Sequence, residues 1–157
     1  MIIVVIFIKG YFLGVTIVNQ HEIQESIEQI LSESDVGTMA TVKNNKPYSR
    51  FMTFKNDGLT LYTATSTETD KAEDLEQNPN THILLGYDGD GFGDDYVEYE
   101  GRVSMDTSSA MKKDMWNEYM EQWFDGPEDP NYVVLKIEPE HIQLMNKQGL
   151  EPKRLEF

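Results

Sequence analysis

From Gln20 to Ser32 apolar side chains recur at Ile23, Ile27, Ile30 and Leu31, the spacing of one face of an amphipathic helix. The period then changes to two. Residues 36–42 alternate as a strand, Lys43 to Pro47 reads as a turn, and residues 47–55 as the returning strand. Asn56-Asp57-Gly58 is the strongest hairpin signal in the chain and leads into a strand over residues 59–64. Residues 67–78 predict a second helix closed by Pro79, and residues 81–87 a short apolar strand. A loop of aspartates and glycines covers 88–95, a long strand 96–105, and a third helix 108–123. Beyond the 125–130 loop come two more strands, 131–137 and 141–145. Hairpins dominate and no βαβ repetition occurs. The expected class is mainly β, an antiparallel barrel of about six or seven strands with about three short helices at its periphery.

Residues 1–18 break this order. They are apolar apart from Lys9, Gly10, Gly14 and Thr16. A spanning helix needs ~20 predominantly apolar residues, and Lys9 sits in the middle of the run. A secretory signal needs a basic start and a small-residue cleavage site, and neither is found. The preferred reading is a dispensable extension, set by where translation is taken to start, over a membrane anchor or an added strand. The domain proper is expected over residues 19–157.

Composition narrows the partners. The chain has 157 residues, enough for a single core. Lys+Arg total 13 against 28 Asp+Glu, a formal charge of -15, which opposes both phosphate backbones and anionic membrane surfaces. Cysteine is absent, so disulfide scaffolds, thiolate zinc sites and cysteine nucleophiles are excluded. A soluble cytoplasmic domain is expected, with no nucleic acid and no membrane as partner.

Several motifs fail on inspection. Gly89-Asp90-Gly91-Phe92-Gly93-Asp94 has an aspartate at its sixth position and precedes a strand rather than a helix, so it is not a dinucleotide loop. Tested as a calcium loop, the same run puts Phe92 at a ligand position and Tyr99 where a bidentate glutamate is required. It reads as a solvated acidic loop. His21, His82 and His141 have no ligand spacing, and no metal site is expected. Neither a nucleophile elbow nor a P-loop occurs.

One contrast is informative. Between Asn56 and Gly101 there are twelve acidic residues, with Lys71 the single Lys or Arg. Lys71 lies just inside a predicted helix start, behind the hydroxyl-rich run from Thr63 to Thr69. Unpaired backbone donors, hydroxyls and a cation make a phosphate site. Ordinary capping by Ser66 or Thr67, with Lys71 paired to Glu68 or Asp74, explains the same residues. Arg50 is a second cation for such a phosphate if its strand pairs with the next one through the 56–58 hairpin. Otherwise it is a solvent-exposed arginine on an edge strand.

The run Ser49-Arg50-Phe51-Met52-Thr53-Phe54, then Asp57 to Thr63, Lys71-Ala72 and Asn78-Pro79 resembles the flavin-binding split-barrel superfamily typified by pyridoxamine phosphate oxidase. His82 to Tyr87, Tyr96 to Gly101, Trp123 to Pro127 and Asp129 to Val134 narrow the resemblance to the general stress protein 26 branch. It runs from about Asn19 to Met145. It implies a split β-barrel that binds flavin mononucleotide (FMN), as a homodimer with the cofactor between subunits. Arg50 and Lys71 match phosphate ligands, with Ser66 and Thr69 as hydroxyl donors. Phe51, Met52 and Thr53 match the strand whose backbone lines the flavin ring. Tyr62 and Thr63 match the pair beside ring and phosphate, and Trp123 an aromatic supplied by the partner subunit. Asp70 stands where the oxidases carry another phosphate-binding arginine. Their C-terminal Arg-x-His is missing, the region offering Glu140-His141-Ile142 and Lys147, so oxidation of vitamin B6 is not expected. The resemblance implies flavin redox chemistry on a small molecule, with NAD(P)H as a candidate reductant and no catalytic residue assigned. A flavin-sequestering stress protein without rapid turnover, or a deazaflavin or haem in the same groove, are the alternatives.

Overall fold

A computed structural model describes residues 19–89, 94–146 and 151–157. The expectations placed on residues 1–18, on 90–93 of the acidic loop and on Lys147 lie outside the described residues. Helix α1 (Gln20–Glu33) is followed by β1 (Val36–Lys43), β2 (Lys46–Thr53), β3 (Lys55–Asp57), β4 (Thr60–Ser66), α2 (Asp70–Gln77), β5 (Asn80–Leu85), β6 (Tyr96–Asp106), α3 (Ser109–Met115), β7 (Tyr132–Met145) and β8 (Lys153–Leu155). A 3-10 segment, Glu118–Gln122, lies between α3 and β7. The strands form one sheet in the order β2-β1-β5-β6-β7-β4-β3, with β8 beside β7. Every pairing is antiparallel.

Alternation builds the core. Val97, Tyr99 and Val103 point inward from β6 and meet Leu61, Ile83, Leu85, Ile137, Ile142 and Leu144. Ile23, Ile27 and Leu31 of α1 join the same cluster, so this helix contributes the apolar face expected of it. Asn44 and Asn45 both take positive φ, at 51° and 59°, in the two-residue turn that joins β1 to β2. That twist matches the strands on either side.

The barrel is split between its two end strands. β2 and β3 stand at opposite ends of the strand order yet are consecutive in the chain, separated by Phe54 alone. Phe54 turns its ring into the core and donates its N–H to the Asp35 carbonyl at 2.8 Å. Across the gap, the Thr63 hydroxyl donates to the Thr53 carbonyl at 2.7 Å. No ladder joins β2 to β4. The Arg50 strand therefore pairs with β1, not with β4 through the 56–58 hairpin.

Four other boundaries differ from expectation. The strand expected over 47–55 breaks at the inward turn of Phe54. The helix expected from residue 67 begins at Asp70, because residues 66–69 form a turn and the Thr69 side chain, not Ser66 or Thr67, caps it by accepting the Ala72 N–H. The helix expected over 108–123 stops at Met115: Trp116 and Asn117 are extended, and the Asn117 side chain starts the 3-10 segment by accepting the Tyr119 N–H. The strands expected at 131–137 and 141–145 are one continuous β7. Its register shifts opposite Glu100 and Gly101, where Pro139 pairs with Gly101 and His141 with Glu100. A bulge with one extra residue, Glu140, admits the proline without ending the strand.

Tyr99 ties the barrel internally. Its hydroxyl lies 2.8 Å from the Leu59 carbonyl and 3.0 Å from that of Ile137, and burial raises its pKa well above the usual tyrosine value. Tyr99→Phe removes the one hydroxyl proton shared between the two carbonyls, so unfolding stability in urea is expected to fall by about 1 kcal/mol. An unchanged urea midpoint would show that the hydroxyl contributes nothing.

Candidate functional site

The gap between β2 and β4 opens into a cavity of about 900 Å³. Its floor is the β2 segment Phe51, Met52 and Thr53 with Thr63 and Thr65 of β4. The start of α2 closes one end, and the segment from Met115 to Phe124 forms the opposite wall.

The α2 end is polar. Thr63 and Thr65 face inward on alternate positions of β4. The Thr65 and Thr69 hydroxyls lie 3.3 Å apart, and Thr69 donates to the Ser66 carbonyl at 2.9 Å. Ser66 in turn accepts the Glu68 N–H through its hydroxyl. Lys71 sits behind this row with its Nζ 3.6 Å from the Met52 sulfur. Among the described residues it forms no ion pair, so the expected pairing to Glu68 or Asp74 does not occur. Burial, and behind it the Arg50 guanidinium, lower the Lys71 pKa from its ordinary value. Asp70 is turned away, with its carboxylate 3.4 Å from Lys43 Nζ.

The other wall is apolar and hangs on Tyr132. Trp116 meets the Tyr132 ring edge-on at 5.5 Å, and Phe124 packs against it at 5.1 Å. Lys112, only 7% exposed, stands over the same ring and donates from Nζ to the Asp129 carbonyl at 2.8 Å. The Tyr132 hydroxyl donates back to the Lys112 carbonyl at 3.1 Å, and burial pushes its pKa up to about 12. The Asp129 carboxylate accepts the N–H groups of Asp125 and Asn131, which hold its pKa below the ordinary value. This clamp fixes the wall while Tyr119 and Trp123 remain 77% and 70% exposed at the cavity mouth, beside Phe51 at 78%.

Phe51, Met52, Thr53, Thr63, Ser66, Thr69, Lys71 and Trp123 thus come together as lining of one cavity. Trp123, expected to act in a partner's site, lines the cavity of its own subunit. Two residues stand apart. Tyr62 faces the outer side of β4 and packs against the Met115, Tyr132 and Val134 cluster. Arg50 points behind Met52, donating to the Thr41 hydroxyl at 2.8 Å and the Met39 carbonyl at 3.4 Å. Desolvation lowers its pKa while Asp74 favours its charged form. Although β2 is an end strand of the sheet, Arg50 is half-buried and not solvent-exposed. Sequence reasoning assigned no role to Thr65, although its alternation with Leu61 and Thr63 signals an inward hydroxyl. It also missed Met115 and Asn117, whose placement follows from the helix break that the periodicity concealed.

Fold and site together define a split-barrel protein, and comparison with known proteins gives the family. The chain matches the family described as pyridoxamine 5'-phosphate oxidase over residues 23–146 and belongs to it. Within that family it is similar to general stress protein 26 of Bacillus subtilis (strain 168), with 52% identity over 139 residues, 88% of this chain and 99% of that protein. The crystal structure of the general stress protein 26 from Bacillus anthracis str. Sterne superposes with a TM-score of 0.74 at 40% identity, covering 84% of this chain and 98% of that one. An F420 reductase structure is more distant, with a TM-score of 0.56 and 25% identity over 73% of this chain and 94% of that one. Among the described residues, no helix is long and apolar enough to cross a membrane.

The clamp generates a prediction. Lys112→Met keeps the bulk but loses the charged donor to Asp129, and is expected to cost about 2 kcal/mol. Amide exchange across residues 116–131 should accelerate more than across β6. Uniform acceleration would show that Lys112 does not act on the wall in particular.

Proposed function

We propose that this chain is an FMN-binding, oxidoreductase-like stress protein of the cytoplasm, with its flavin seated in the cavity between β2 and β4. The observation that carries the reading is that one cavity has two chemically different ends. Lys71 with the hydroxyls of Thr65, Ser66 and Thr69, at the capped start of α2, suits a phosphomonoester: a cation, donors and the helix end converge there. The slot walled by Phe51, Met115, Met120 and Phe124 suits a flat apolar ring system. Among the described residues β2 has a strand partner on one side only, so its seam-side backbone groups are available to the polar edge of such a ring. Arg50 adds charge from behind Met52, and Tyr62 supports the ring-side strand from its outer face.

When bound, the flavin supplies hydride or electron transfer through its N5. The residues of this chain bind and orient it. Thr63 holds the two sides of the seam at a fixed spacing through Thr53, and the Met115 to Phe124 wall excludes water from one face. Asp70 faces Lys43, so the phosphate end relies on Lys71 and hydroxyls where the oxidases use an additional arginine. Oxidation of the B6 vitamers is not part of the proposal. A small-molecule substrate, with NAD(P)H as the reductant, completes it.

The active form proposed is a homodimer with the flavin at the subunit interface. Val36, Phe51, Tyr119 and Trp123 are large, exposed and grouped at the cavity mouth. Grouped exposed aromatics mark interface cores. Trp116, Met120 and Phe124, by contrast, are used on the chain's own barrel.

The visible spectrum of the purified protein is the primary test. Colourless protein that takes up no added flavin overturns the reading, while a deazaflavin or haem spectrum replaces the cofactor. The F420 reductase likeness makes the deazaflavin the second choice. Reduction of the holoprotein by NAD(P)H separates a turning-over enzyme from a flavin store. Lys71→Glu is expected to weaken FMN binding by at least about tenfold, with little effect on riboflavin, since a charge-assisted hydrogen bond contributes about 1.5–3 kcal/mol; Arg50→Glu, acting by charge from behind Met52, is expected to weaken it in the same selective sense but less. Equal losses for the two ligands in a titration would remove both residues from the phosphate. Because the charge of -15 repels a second copy, dimerisation measured by sedimentation should strengthen as salt rises. A monomer with full flavin occupancy at every salt concentration contradicts the interface site.

A further inference from the structure

We propose that Asp74 is a built-in counter-ion for Arg50, the cation beside Lys71, and that it opposes the cofactor's phosphate there and so limits how tightly the phosphate is held. The inference rests on the flavin reading above and concerns the same end of the cavity. Asp74 lies one helical turn after Lys71 on α2 and is 5% exposed. A carboxylate so deeply placed needs a partner, because desolvation alone costs several kcal/mol. Among the described residues it has no direct ion pair. Its charge reaches Arg50 through a relay. Arg50 Nη1 donates to the fully buried Thr41 hydroxyl at 2.8 Å, and that hydroxyl donates onward to Asp74 Oδ2 at a longer 3.5 Å.

Arg50 in turn stands close enough to Lys71 for the two charges to act on each other. Burial, and after it repulsion from Arg50, shifts Lys71 toward its neutral form; burial lowers the Arg50 pKa as well, and Asp74 opposes that by favouring the charged guanidinium. Asp70 and Glu73 are also on α2 but lie on its exposed face, and Asp70 is engaged by Lys43. Among the described residues Asp74 is therefore the buried negative charge that offsets Arg50 where it stands beside Lys71. An incoming phosphate meets those cations already partly neutralised, with a like charge behind them. Asp74 stabilises the empty protein and opposes the loaded one. If Asp74 only docked α2 on β1, its loss would weaken the protein and every ligand alike.

The test uses the full chain with Asp74→Asn, which keeps shape and removes charge. The Tm of the ligand-free variant is expected to fall by about 3 °C. The ratio of FMN to riboflavin affinity is expected to rise about fivefold, the effect of removing one like charge a few side chains away. Inorganic phosphate alone should raise the variant's Tm more than the wild type's. A ratio that stays the same or falls overturns the inference. If Asp74→Asn does not fold, Asp74→Asn with Lys71→Met decides: a folded double variant supports the counter-ion role, because fewer cations need one, and an unfolded double variant overturns it. Wild-type protein that binds neither flavin sinks the flavin reading, and the phosphate arm then judges Asp74 alone. A larger Tm gain in the variant supports the counter-ion, and an equal gain rejects it.

Discussion

Everything about this barrel depends on the way it fails to close. The sheet order begins at β2 and ends at β3, and a single residue carries the chain from one end to the other. Phe54 is drawn inward by the core and held by the Asp35 carbonyl, so the backbone turns where a continuous strand would have zipped β2 onto β4. What remains between them is one side-chain bond, from Thr63 to Thr53. Hydrophobic burial at one position thus keeps a line of backbone groups unladdered, and the cavity is the space so left. Its two walls, α2 and the segment after α3, need only be fixed in place. Thr69 does this for the first by capping, and the Lys112–Asp129–Tyr132 clamp for the second.

Much of this was legible in the residues. Six of the strands were located, the first by its alternation and the rest as apolar or aromatic runs between turn signals, and the asparagine turn at 44–45 set the first hairpin. Two short strands were not legible: β3 is three residues long, as is β8, too brief for any period to show. The α3 break was hidden for a different reason. Met111, Met115, Met120 and Phe124 all belong to the cluster around Tyr132 and Val134, so the apolar spacing looks helical although the backbone between is extended at Trp116 and Asn117. Of the residues singled out for the site, eight line one cavity. Arg50 does not, because its direction is decided by Thr41, a residue that only the β1–β2 register brings alongside.

Electrostatics sets the character of the site against the rest of the molecule. In a chain with a formal charge of -15, Arg50 and Lys71 make a small positive island, and partial burial keeps it from being screened by solvent. Asp70, conspicuous in the sequence, is spent on Lys43 at the surface, while Asp74, inconspicuous there, is the carboxylate that the island contains. Position relative to the helix face, not position along the chain, separates them.

The bulge in β7 has a consequence of its own. Before it the inward residues are odd-numbered, among them Leu135 and Ile137; after it they are even, Ile142 and Leu144. On the partner strand β6, Val97, Tyr99 and Val103 keep one parity throughout. Glu140 is the residue that reconciles the two counts. The end of the barrel is therefore right side in by virtue of a single codon. Deleting it would turn Ile142 and Leu144 to water and His141 and Gln143 to the core. Tolerance to insertion and deletion in this protein is governed by parity as much as by exposure.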